Sequence, residues 1–163
     1  MGAAIALALA NEGAKVVVSG RRADKLEDVV KQAPEGSSVL AQSADVSDRH
    51  SLANLFDWFD AQLGKLDVMV NAAGINIPKR AMQDLSPVEW DKVLKINLTG
   101  AFDCLRLAHD RMRPQKDGLV VMINSVSGKR STPVGGVAYT ASKFGMPGRG
   151  VCVAEEAREH GIR

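Results

Sequence analysis

Tyr139 and Lys143 are the residues of this chain whose types and spacing could do proton chemistry together. If a helix begins near Ala138, their spacing places the phenol and the ammonium on one face, one turn apart. A free tyrosine, with a pKa of about 10, is a poor acid at neutral pH. A fixed cation beside it favours the phenolate and lowers that pKa, so the phenol can exchange a proton nearer neutrality. The alternative interpretation is a chance pair on a solvated helix.

A short apolar run before this pair predicts the element that would position a third group. Leu119 to Ile123 is typical of a buried strand. Ser125 follows the strand tip, in the segment Asn124-Ser125-Val126-Ser127-Gly128. Its hydroxyl could donate a hydrogen bond to the substrate oxygen that exchanges a proton with Tyr139.

On these residues the sequence resembles the classical short-chain dehydrogenase/reductase family, over almost the whole chain. The family's active-site pattern is a serine, then a tyrosine, then a lysine four positions beyond it, which here are Ser125, Tyr139 and Lys143. Ser127 is the weaker candidate for the serine. The family's fourth catalytic residue, an asparagine in the preceding long helix, matches Asn97. The resemblance implies that Asn97 holds a water that relays protons through Lys143.

Strands and helices alternate along the chain, which predicts an α/β fold with a Rossmann-like, doubly wound parallel sheet. The capping box Ser86-Pro87-Val88-Glu89 begins the helix that carries Asn97. Pro147 predicts a kink between Lys143 and Gly148, because it lacks the N–H that would bond the Lys143 carbonyl. The expected helices are Met1 to Asn11, Asp24 to Ala33, Ser47 or Asp48 to Leu63, and Ser86 to Met112; the expected strands are Lys15 to Ser19, Ser38 to Ala44, Leu66 to Val70 and Leu119 to Ile123.

The resemblance also predicts that the fold is incomplete, with residues 1–163 forming one partial dinucleotide-binding domain. Met1 and Gly2 match the last two positions of the family's glycine-rich turn, so the family's first strand is expected to be missing. Arg163 stands where its sixth strand should begin, so the C-terminal strands are expected to be missing too. In the family's strand order the first strand lies between the second and the fourth. Its loss would leave two strand edges unpaired.

Arg21 and Arg22 directly follow the expected first strand of this chain. At this position of a dinucleotide fold an acidic residue binds the ribose of NAD, whereas arginine accommodates the 2′-phosphate of NADP. A guanidinium suits phosphate because its fork makes paired, charge-assisted hydrogen bonds. We therefore expect NADP(H) as the preferred cofactor, with NAD as the alternative cofactor. The alternative interpretation of the two arginines is a solvated pair that binds no cofactor.

Further cofactor contacts follow from the resemblance. Asp45 and Val46 match the family's adenine contact, although Asp45 could equally cap the next helix. The family signature Asn-Asn-Ala-Gly appears as Asn71-Ala72-Ala73-Gly74, where small residues let the backbone approach the adenosine ribose and Asn71 can tie neighbouring strands. The complete set of expected cofactor residues is Gly2, Arg21, Arg22, Asp45, Val46, Asn71, Ala72, Gly74, Tyr139 and Lys143.

Composition excludes several classes of function. A net charge of +2 and an aromatic content of 4% predict no nucleic-acid surface. No stretch is long enough for a membrane span. Cys104 and Cys152 have no metal-ligand spacing, so we expect no metal and two buried free thiols in a cytoplasmic protein.

The resemblance implies an oxidoreductase that interconverts a carbonyl and a secondary alcohol by hydride transfer. A 3-oxoacyl thioester is one candidate substrate. It also implies a homodimer or homotetramer, built through the helices that carry Asn97 and Tyr139. The alternative is a non-catalytic, truncated remnant that keeps only dimerising or binding surfaces.

Overall fold

The computed structural model describes residues 1–131 and 133–163, without the side chains of residues 147 and 149–151. The chain divides into two compact units, Met1–Lys65 and Leu66–Arg163. The expectation of one partial domain over residues 1–163 stays a prediction. Among the described residues, no helix combines the length and the apolar character that crossing a membrane requires.

The first unit alternates three helices with two strands. Its elements are α1 (Gly2–Asn11), β1 (Val16–Gly20), α2 (Ala23–Lys31), β2 (Val39–Ser43) and α3 (Arg49–Leu63). β1 and β2 pair in parallel, from Val16 opposite Val39 to Gly20 opposite Ser43. Parallel neighbours need a crossover connection, and α2 provides it. The buried core of the unit is formed by Ala6, Ala10, Val18, Leu26 and Val39.

The ends of α3 have local causes that the sequence carries. Asp48 is its N-cap, and the side chain accepts a hydrogen bond from the His50 N–H at 2.9 Å. Gly64 ends the helix in the left-handed region, with φ of 71°. Of the two predicted caps, Ser47 and Asp48, the structure therefore uses Asp48.

The second unit holds the remaining strands and the long helices. Its main elements are β3 (Val68–Asn71), α4 (Pro87–Leu94), α5 (Ala101–Gln115), β4 (Leu119–Met122) and α6 (Val137–Ala157). β3 and β4 pair in parallel, from Val68 opposite Leu119 to Asn71 opposite Met122. A 3₁₀ turn, Val126–Gly128, follows β4, and a second one, Arg158–His160, follows α6.

The predicted helix from Ser86 to Met112 is present but is not uniform. Ser86 is the N-cap as predicted: the Glu89 N–H donates to Ser86 Oγ at 3.2 Å. The Glu89 carboxylate accepts from the Ser86 hydroxyl at 3.1 Å, where a full capping box would have it accept from the Ser86 N–H. Between α4 and α5 the helix widens into a π turn over Lys95–Gly100. Such turns are rare and occur frequently at functional sites.

The described strands form two separate pairs, β1 with β2 and β3 with β4, instead of the single sheet that strand alternation alone predicts. The resemblance had already predicted that β1 and β3 would not pair directly, because the family has another strand between their counterparts. At the other edge of β4, Ile162 bridges Gly118 in parallel, and the Arg163 carbonyl accepts from the Val120 N–H at 2.7 Å. The last two residues thus begin to pair with β4 as a further parallel strand would.

Two smaller expectations have different outcomes. Cys104 is buried as predicted, but Cys152 is exposed, so the prediction of two buried thiols is wrong for the second. Cys152 lies on the long helix α6, where one face remains open to solvent. The Pro147 side chain lies outside the described ones, so the kink stays a prediction; α6 is assigned as helix over Val137–Ala157.

Candidate active site

Tyr139 and Lys143 lie on the first turns of α6. The helix begins after Gly136, whose φ of 74° favours glycine, and a Cβ there would come within 2.5 Å of Arg80 Cβ. Tyr139 is half-buried, whereas Lys143 is only 4% exposed. The Lys143 Nζ lies 5.8 Å from the centroid of the Tyr139 ring. The structure therefore brings the two predicted side chains together on one face of the helix.

The Lys143 ammonium is fixed at the end of β4. Its Nζ donates to the Ile123 carbonyl at 2.9 Å and lies 3.4 Å from Met146 Sδ. Burial lowers the pKa of Lys143 below its ordinary value, because the charged form loses solvation. In the part of the chain that the structure describes, no carboxylate pairs with it. The site thus holds a nearly solvent-free cation beside a phenol.

Ser125 lies where β4 passes into the 3₁₀ turn. Its Oγ accepts a hydrogen bond from the Ser127 N–H at 3.2 Å. Among the described residues its own hydroxyl hydrogen has no acceptor, so it remains available to a ligand. Ser127 is buried, and its Oγ is so close to Gly135 that a Cβ on that glycine would lie 2.7 Å away. Because Ser125 is half-buried and Ser127 is buried, the geometry favours Ser125 as the accessible hydroxyl.

Asn97 is fully buried inside the π turn. Its Oδ1 accepts from the Ile75 N–H at 2.7 Å, and its Nδ2 donates to the Ile75 carbonyl at 2.8 Å. Nδ2 also donates to Ser142 Oγ at 3.1 Å, and Ser142 in turn donates to the Tyr139 carbonyl at 2.7 Å. The side chain therefore links the loop after β3 to the turn of α6 that carries Tyr139. Because both Nδ2 hydrogens are engaged, that nitrogen is not free to donate to a water.

Ser142 and Met146 belong to this arrangement, and sequence reasoning missed both. Ser142 is fully buried and Met146 is 4% exposed. The available signal was their spacing, since Met146 and Lys143 are three residues apart and share a helix face. Ser142, which directly precedes Lys143 in the sequence, gives no comparable signal by itself.

The loop after β3 approaches Lys143 and Asn97 at Gly74. A Cβ on Gly74 would lie 3.5 Å from Asn97 Oδ1 and 3.8 Å from Lys143 Nζ. Asn71 is buried at the end of β3, where its Oδ1 accepts from the Ala73 N–H at 3.1 Å. Its Nδ2 has no hydrogen-bond partner among the described residues. The bare Cα of Gly74 and this unpaired donor leave room and capacity for a polar ligand, as the cofactor prediction requires. Ala72, between them, is half-buried.

The predicted cofactor residues of the first unit lie on its surface or in turns. Arg21 and Arg22 are exposed after β1, and in the described structure neither makes an ion pair. Asp45 Oδ1 accepts from the N–H and the hydroxyl of Ser47, at 2.9 and 2.7 Å. Since Asp48 caps α3, the interpretation of Asp45 as the helix cap is wrong.

The other two predicted residues of this unit differ in exposure. Val46 is half-buried, and Gly2 is the exposed first residue of α1. The cofactor roles of Gly2, Arg21, Arg22, Asp45 and Val46 stay predictions.

Comparison with known proteins agrees with the fold. The family profile described as short chain dehydrogenase matches residues 1–163. A 3beta-hydroxysteroid dehydrogenase of Mediterraneibacter gnavus is 35% identical over 99% of this chain and 58% of its own length. The 3-oxoacyl-acyl-carrier-protein reductase FabG of Staphylococcus aureus is 35% identical over 99% of this chain and 66% of its own length.

Solved structures give the same result. The crystal structure of a metagenomic short-chain oxidoreductase in complex with NADP has a TM-score of 0.90 and 34% identity, over 99% of this chain and 73% of the other. That of a short-chain dehydrogenase/reductase from Burkholderia xenovorans has a TM-score of 0.94 and 33% identity, over 99% of this chain and 64% of the other. This chain therefore spans less than two thirds of the length of several relatives, at 58%, 66% and 64%. The family profile matches residues 1–163, and the backbone is similar to those of solved short-chain oxidoreductases. The chain therefore belongs to the short-chain dehydrogenase family.

Proposed function

We propose that this chain carries the proton-transfer site of an NADP(H)-dependent oxidoreductase that interconverts a carbonyl and a secondary alcohol. The observation that carries the proposal is the buried Lys143 ammonium, 5.8 Å from the Tyr139 ring and beside the bare Cα of Gly74. Relatives named as dehydrogenases and reductases support the reaction class.

The residues of the chain divide the work as follows. Tyr139 gives a proton to the substrate oxygen or takes it back, and Ser125 donates a hydrogen bond to that oxygen as it gains charge. Lys143 stabilises the phenolate and offers its remaining N–H to the nicotinamide ribose. Asn97 and Ser142 hold the Tyr139 turn against the loop after β3. The nicotinamide, when bound, supplies or accepts the hydride.

Binding of NADPH to the chain tests the proposal. We expect saturable, micromolar binding by NADPH fluorescence, with NADH weaker. Arg21→Asp should weaken NADPH relative to NADH by roughly 10- to 100-fold, since a charge-assisted hydrogen bond to phosphate contributes about 1.5–3 kcal/mol. Lys31→Asp, which changes the same charge at the far end of α2, is the matched control. An unchanged cofactor preference in Arg21→Asp would remove the role of that arginine.

Gly74→Ala tests the approach of the cofactor to Lys143. The new methyl would lie at ordinary contact distance, 3.5 Å from Asn97 Oδ1 and 3.8 Å from Lys143 Nζ, so the fold should tolerate it. It would occupy the space that a ribose needs beside the ammonium. We expect NADPH affinity to fall by at least about tenfold, the equivalent of 1.4 kcal/mol, with thermal unfolding little changed. Gly148→Ala, which adds the same methyl at an exposed position with open space around it, is the control, and equal NADPH affinity in Gly74→Ala and the wild type would contradict this geometry.

The substrate class is proposed from the relatives alone. A 3-oxoacyl thioester is the first candidate, because a FabG reductase is among the proteins with 35% identity. A hydroxysteroid is an alternative, on the name of another relative at 35% identity. A cytoplasmic location is consistent with two free cysteines, one of them exposed.

A second candidate function is a non-catalytic chain that binds copies of itself or longer relatives. The observation that favours it is the exposure of two apolar side chains, Phe102 on α5 and Phe144 on α6, each 44% exposed. These are the helices through which a homodimer or homotetramer is expected. NADPH titration separates the two candidates, because this second function predicts no binding.

A further inference from the structure

The Lys143 ammonium has more than one acceptor inside the protein. A lysine ammonium carries three hydrogens and no acceptor of its own. One hydrogen is donated to the Ile123 carbonyl at 2.9 Å, and Met146 Sδ lies at 3.4 Å, within the range of a hydrogen bond to sulfur. Lys143 and Met146 are each 4% exposed, so water competes little for either group.

The contact between Lys143 and Met146 follows from the positions of both residues on the helix. Met146 follows Lys143 by three residues, so both side chains lie on one face of α6. A thioether is a weak acceptor but a polarizable one, and its unbranched chain fits an irregular buried space. In an environment that disfavours the charge, even a weak acceptor favours the protonated amine.

We propose that Met146 is a positioning residue: its thioether and the Ile123 carbonyl hold two hydrogens of the ammonium and leave the third for a ligand beside Gly74. The claim that the third hydrogen serves a ligand rests on the proposed function. The claim that Met146 holds the ammonium does not, because it describes the unliganded chain.

The other groups that face Lys143 do not account for its lowered pKa. Tyr139, on its own helix, is the titratable neighbour, with the ring centroid 5.8 Å from Nζ. Four further elements pack against α6: α4, the π turn, the turn Val126–Gly128 and the turn Arg158–His160. Their charged or titratable residues, or those directly following, are Glu89, Asp91, Lys92, Lys95, Lys129, Arg158, Glu159 and His160. No charge effect from these residues contributes to the lowered pKa of Lys143, whose cause is burial.

The experiment is an NMR titration of the unliganded chain with ¹³C-labelled lysine side chains. The Lys143 signal is assigned by its loss in Lys143→Met. Met146→Leu keeps the volume of the side chain and removes the acceptor. We expect its Lys143 to titrate at lower pH, with a proton-dissociation constant roughly three- to tenfold larger than in the wild type.

Met112→Leu is the matched control, because Met112 is also fully buried but lies against Gly118. It should leave the Lys143 titration unchanged. An unchanged titration in Met146→Leu, or an equal shift in Met112→Leu, would overturn the role of Met146. Since no cofactor is present, failure of NADPH to bind would count against the proposed function and leave this result standing.

Discussion

Tyr139→Phe should lower turnover by roughly 10²- to 10⁴-fold, the usual contribution of a positioned general acid or base. The phenyl ring keeps the packing of the half-buried side chain, so we expect little change in the unfolding midpoint. The effect should therefore fall on kcat, measured by NADPH absorbance with a 3-oxoacyl thioester as substrate.

Thr140→Val is the matched control for this variant, because it removes a hydroxyl from the same turn of α6 without touching the phenol. It should retain most of the activity. Tyr139 is the single tyrosine of the chain, so no other phenol can substitute for it. A Tyr139→Phe protein with near wild-type kcat would exclude Tyr139 as the proton donor.

Lys143→Met should separate catalysis from folding. Removing a fixed cation at a developing negative charge typically costs about 10²- to 10³-fold in kcat, and we expect a loss of this size. Burial lowers the pKa of Lys143, so its protonated form is less favourable in the folded chain than in the unfolded one. Replacing it with an apolar side chain of similar length should therefore cost little stability near neutral pH.

The pH dependence has a definite sign. Where the folded lysine has lost its proton and the unfolded one keeps it, the unfolded state binds more protons, so stability of the wild type rises with pH. Any stability advantage of Lys143→Met should thus be largest below the folded pKa and shrink as pH rises towards the ordinary lysine value. Denaturant unfolding across this range measures it. Lys95→Met, at an exposed position of the π turn, is the control; loss of folding in Lys143→Met alone would make Lys143 a structural requirement instead.

Local signals in the sequence predicted much of the fold. The N-cap at Ser86 and the approach of Tyr139 to Lys143 depend on residues within one or two helical turns, and both are present in the structure. The parallel pairing of the strands also agrees with their alternation with helices. These features could be predicted because their causes lie within short stretches of chain.

The parts that could not be predicted depend on contacts between distant segments. Nothing in Lys95–Gly100 distinguishes a π turn from ordinary helix, since Asn97 meets its partner Ile75 only after folding. The contact between Met146 and Lys143 depends on rotamers as well as on spacing. The exposure of Cys152 depends on which face of α6 is covered, and the apolar pattern of that helix does not determine this.

The Asn97 side chain does for Ile75 what a neighbouring strand would do. A carboxamide has the same donor and acceptor as a peptide group, and here it satisfies both the N–H and the C=O of one residue, at 2.7 and 2.8 Å. The chain leaving β3 can therefore turn away from its sheet without losing hydrogen bonds. Because this one carboxamide replaces a peptide group, Gly74, next to Ile75, can expose its backbone to a ligand.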